Sequence, residues 1–239
     1  MKNNFCSTAL LCNVDIVFED HRGGIYKMIL PTLRDKLENW DYEIFVSFCA
    51  TPLEEILKGT NYNFNNRFSL FKCYKNNNAD IMPVLNKYFK KYMVGFKYVD
   101  DSLYWGERLV SKEVFEIFCM YCAIACGVKS IEDSKLIITE EMDDDEKHRI
   151  ELEKKIRKTK QQGSKASEST SLDLILAGVC REFHYTYNEL LDMTIYSIYY
   201  MYSLFGPIMN YQIGNIAAGN GLLKRSTEHN HWTNQRLKT

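Results

Sequence analysis

Between Glu140 and Ser171 the chain loses the means to build a core, and this interruption constrains the architecture more than any other feature. It opens acidic, with Glu140, Glu141, Asp143, Asp144, Asp145 and Glu146, and turns basic through Lys154, Lys155, Arg157, Lys158 and Lys160. It runs out in the small, polar QQGSKASESTS of residues 161–171. Acid first and base last complements a helix macrodipole, and Glu151 with Lys155 adds an i,i+4 pair. An exposed charged helix followed by a linker is expected, because the apolar residues there, chiefly Ile150, Leu152 and Ile156, can bury little. Apolar periodicity resumes on both sides. The sequence therefore reads as a mixed, mainly helical domain over 1–139, a charged helix and polar linker over 140–171, and a small helical domain over 172–239.

The expected class is mainly α, with α+β admitted in the N-terminal half. Only four prolines and twelve glycines punctuate 239 residues, too few for a turn-dense β-sandwich. The 46% hydrophobic content supplies a proper core, and at this length folding hides roughly 70% of the unfolded surface. Residues 24–39 carry Ile25, Met28, Ile29, Leu33 and Leu37 at helical spacing, with Pro31 shortening or kinking the helix. Residues 40–50 suit a strand or a buried helix equally. Thr51-Pro52-Leu53-Glu54 starts a helix that Gly59 closes, whereas the alternation around Arg67 to Tyr74, within 61–78, suits a hairpin. Helices are expected at 83–93 and at 111–126, the second capped by Ser111 and ended by Gly127. Beyond the linker, the sequence predicts helices over Leu172 to Phe183, from the Thr186 to Glu189 capping box, and from Thr194 until Gly206-Pro207 stops it. A final segment runs over 207–218.

Charge and motif spacing exclude most chemistry. Thirty basic against thirty-one acidic residues leave a net charge of -1, so no global field holds nucleic acid or an anionic membrane. The N-terminal apolar run is broken by Asn13 and Asp15, too short and too polar for a signal peptide or a membrane span. The eight cysteines are thus expected reduced. Cys119, Cys122 and Cys126 form C-x2-C-x3-C, but they fall inside a helix beside Phe115 and Phe118, with no second CxxC to complete a zinc site; core packing is the expectation. His229 and His231 on a polar terminus read as solvated, and His21-Arg22-Gly23-Gly24 and Gly219-Asn220-Gly221 lack the glycine spacing and lysine of a phosphate cradle. No G-x-S-x-G occurs, and Asp143 to Asp145 lack an enclosed site. No catalytic residue, metal ligand, cofactor or small-molecule substrate is expected.

The strip YTYNELLDMTIYSIYYMYSLF is different. Tyr196, Tyr199, Tyr200 and Tyr202 cover more than one helical face, and no basic residue lies between Tyr185 and Phe205 to favour stacking on nucleic acid. Tyrosine brings contact area at low entropic cost, so the strip suits burial against another protein or in this domain's own core.

The order of these pieces resembles phage virion morphogenesis proteins of the tail-assembly-chaperone type from Gram-positive hosts. The pieces are the segment from Trp40 through Thr51-Pro52 to Leu57, a middle helix ending in a small-residue turn, the charged linker, and a C-terminal unit. That unit joins the tyrosine strip to YQIGNIAAGNG and His231-Trp232, and residues 172–232 carry most of the likeness. Ser197 stands where the pattern has phenylalanine or glutamine after T-I-Y. The resemblance implies a non-enzymatic protein of the host cytoplasm that binds phage tail or other virion proteins, with self-association compatible. Tyr196, Tyr199, Tyr200, Tyr202 and Trp232 are its candidate partner-binding residues. The alternative is a structural neck, tail or baseplate subunit within the virion; a redox or metal-binding role ranks behind both.

Overall fold

The computed structural model describes residues 7–12, 14–20, 23–58, 64–77, 80–99, 102–129, 145, 147–152 and 171–219. It is mainly α, with two small antiparallel sheets among these residues. Helix α1 (Ser7–Cys12) leads into a hairpin of β1 (Ile16–Glu19) and β2 (Ile25–Met28). The Asp20 carboxylate holds the turn by accepting the Gly24 N–H at 2.7 Å and the Tyr26 hydroxyl at 2.9 Å. A Cβ on Gly24 would come within 2.8 Å of that carboxylate, which would have to shift to admit it.

This hairpin corrects the helix expected over 24–39. Tyr26, Met28 and Leu30 are buried with period two, while Ile25, Ile29 and Leu37, placed on the core face of that helix, are exposed. Helical structure begins only after Pro31, in the short α2 (Leu33–Glu38), where Thr32 and Asp35 form the capping box. The ambiguity over 40–50 resolves as α3 (Tyr42–Ala50), followed by α4 (Leu53–Ile56) after Pro52.

The hairpin expected within 61–78 is also corrected, for the residues described there. Arg67–Asn77 is a helix, α5. Phe68, Leu70 and Phe71 are all buried, which no strand alternation permits. Asn66 accepts the Ser69 N–H at 2.8 Å to start the helix, and the buried Arg67 guanidinium donates to the Phe48 and Thr51 carbonyls at the end of α3 and to Glu116. A tertiary clamp, invisible to local pattern, decides the element.

Helix α6 (Ile81–Tyr92) is followed by a three-stranded meander, β3 (Phe96–Val99), β4 (Ser102–Trp105) and β5 (Arg108–Leu109). The Trp105 indole donates to the Lys27 carbonyl at 3.0 Å and ties the meander to the first hairpin. Helix α7 (Lys112–Ala125), capped by Ser111 as its sequence predicts, is buried nearly all round and forms the axis of the main core. Phe45, Phe48, Phe71, Phe89 and Trp105 close on it, with ring centroids 5.4 Å apart for Phe89 and Phe115.

Of the charged region, residues 147–152 are helical, with Ile150 buried; the linker over 161–170 lies outside the described residues. Then come α8 (Leu172–Phe183), α9 (Tyr187–Leu191), α10 (Ile195–Ser203) and α11 (Phe205–Gly219), the first three capped by Ser171, Thr186 and Thr194. Gly206 and Pro207 do not stop a helix but lie in the first turn of α11, where a missing N–H costs nothing. Leu33 joins Ile175, Leu176, Val179, Leu190, Ile195 and Ile198 in a second cluster. The seam to the N-terminal half is polar as well. Thr194 Oγ1 and Ser197 Oγ, both buried, lie 3.2 and 2.6 Å from the Leu10 carbonyl, and Arg34 bonds Asp192 at 2.8 Å.

Candidate functional site

Thiols are the groups most capable of chemistry, and the fold seals four of them, leaving Cys12 exposed and Cys73 and Cys180 half-buried. Cys119 and Cys122 of α7 and Cys126 at its C-cap are buried free thiols, and Cys49 of α3 joins them through thiol hydrogen bonds with Cys119 and Cys122. The sequence reading, which looked for a second CxxC, did not associate Cys49 with this cluster, because only the packing of α3 on α7 brings it there. Burial pushes Cys122 and Cys126 up to about 12, and Cys49 and Cys119 well above the ordinary thiol. The Tyr42 hydroxyl lies 2.8 Å from Cys126 Sγ and partly offsets that rise. Thiolate, the reactive form, is suppressed in this cluster. Among the described residues no group of three or more His, Cys, Asp and Glu is placed to hold a metal ion.

Buried acids are spent on architecture. Asp35 accepts the Thr32 N–H and hydroxyl and the ammonium of Lys91; Asp41 accepts the Tyr88 hydroxyl at 2.6 Å and Lys87 at 2.9 Å. Burial raises the Asp41 carboxyl, but the hydrogen bonds from Tyr88 and Lys87 and the lysine's charge outweigh it, leaving the group below its ordinary value. The two acids latch the α2–α3 corner to α6, as Glu116 latches Arg67. Tyr92 is fully buried, and burial, with the charge of Asp35 beside it, pushes its hydroxyl pKa up.

The surface offers more. Trp40, in the turn before α3, is 89% exposed. Helix α3 buries Tyr42, Phe45, Val46, Phe48 and Cys49, so Glu43, Ile44 and Ser47 fall on its outer face at helical spacing from Trp40. Beside that face lies a groove of about 440 Å³, floored by Ile44, Phe48, Ile56, Tyr74 and Ile81 and edged by Glu43, Ser47 and Thr51. Its volume falls within the range of ligand and peptide side-chain pockets. Glu43 also bonds Lys36 of α2 at 3.0 Å. The sequence reading used Trp40 only as part of a family pattern; the local signal for this face is a tryptophan between Asn39 and Asp41, one turn ahead of an isoleucine.

The tyrosine strip is divided among several tasks. Tyr196 packs against the main core, with its ring 6.4 Å from that of Tyr200. Tyr202 packs in the second cluster, 5.7 Å from Phe205. Tyr199 is 40% exposed and lies over Gly127, where a Cβ would meet its ring at 2.9 Å. Gly127 also has φ +69, so close approach and backbone both favour glycine there. Tyr200 is half-buried, and Trp232, His229 and His231 lie outside the described residues. Farther on, Met209, Ile213 and Ile216 expose an apolar stripe on α11. No helix among the described residues is long and apolar enough to cross a membrane.

No protein-family model, no curated protein and no solved structure matches this chain.

Proposed function

We propose that this protein is a non-enzymatic binding module that holds other proteins through the outer face of α3. The observation that carries this reading is Trp40, 89% exposed in the turn that leads into α3, the helix whose Ile44 and Phe48 floor an apolar groove. Exposed tryptophan is an expensive surface residue and a frequent energetic anchor of interfaces. The opposite reading, catalysis, needs a poised nucleophile or acid, whereas the clustered thiols Cys49, Cys119, Cys122 and Cys126 are buried and Asp35 and Asp41 are bonded to lysine and hydroxyl partners.

The resemblance to tail-assembly chaperones supplies the partner class: a phage tail protein with long apolar stripes, kept from self-association in the host cytoplasm while the tail is built. Co-expression with the tape-measure protein of the same phage tests this. The wild-type chain keeps that partner soluble and co-purifies with it, and Trp40→Ala loses it while retaining the wild-type circular dichroism spectrum. Undiminished co-purification by Trp40→Ala removes α3 as the binding face. Stoichiometric presence in purified virions replaces the chaperone by a structural subunit.

A further inference from the structure

We draw no further inference here: the strongest candidate, the apolar stripe that Met209, Ile213 and Ile216 expose along α11, carries none because nothing in the structure shows what covers it.

Discussion

Replacing Thr194 by valine tests whether the two halves of the chain hold each other. The side chain is fully buried and does two things at once. Its Oγ1 accepts the Ser197 N–H at 3.0 Å, which caps α10, and lies 3.2 Å from the Leu10 carbonyl on α1. Valine keeps the shape and removes both roles. A lost N-cap costs about 1 kcal/mol, and a lost internal hydrogen bond about 1 kcal/mol more. Ser197 Oγ, 2.6 Å from the same carbonyl, remains to satisfy it, so the single variant loses about 2 kcal/mol. Thr194→Val with Ser197→Ala strands that carbonyl in the interior, and the loss rises to about 3–5 kcal/mol, more than the separate variants sum to. Urea unfolding followed by circular dichroism measures these losses, and hydrogen exchange locates them. Amides of α1 and α10 lose protection together. A double-variant loss under about 0.5 kcal/mol, or a wild-type transition in which α8 to α10 melt apart from the rest, refutes the argument that this seam is structural.

Asp41 and the buried thiols act through stability. Asp41 sits below its ordinary carboxylate value in the fold, so its stabilisation is complete above about pH 4 and lost as pH falls through the folded value; Asp41→Asn is less stable at neutral pH and shows a shallower acid loss, and an unchanged acid limb in calorimetric scans contradicts this. Cys49, Cys119, Cys122 and Cys126 label with a thiol reagent only after denaturant is added, and Cys119→Ala with Cys122→Ala and Cys126→Ala costs about 1 kcal/mol or more per site through lost packing; rapid labelling of the native protein would show a cluster open to solvent.

What the sequence discloses here is what neighbours in the chain decide. Ser111 and Gly127 bracket α7, and Thr186 with Glu189 and Thr194 start α9 and α10, because caps act within three or four residues. The first hairpin hid because Ile25, Ile29 and Leu37 imitate a helical stripe although the core takes Tyr26, Met28 and Leu30. Helix α5 hid because its clamp, Arg67 with Glu116, spans 49 residues. The candidate face had the weakest local trace. Ile44, Ile56, Tyr74 and Ile81 meet only once α3, α4, α5 and α6 have packed, and no periodicity distinguishes an apolar residue on a groove from one in a core.

That Leu33 and Arg34 pair with α8 to α10 gives synthesis a clock. Arg34 and Asp192 stand 158 residues apart, and at about 5–20 residues per second roughly 8–30 s pass between their translation. For that interval Leu33 and the carbonyl of Leu10 lack their final cover, and the nascent N-terminal half exposes surface that its own C-terminus has yet to supply. A slow stretch of codons or an early stop before residue 172 prolongs that exposure, so truncated chains ending within the charged region are expected to be the aggregation-prone products of this gene.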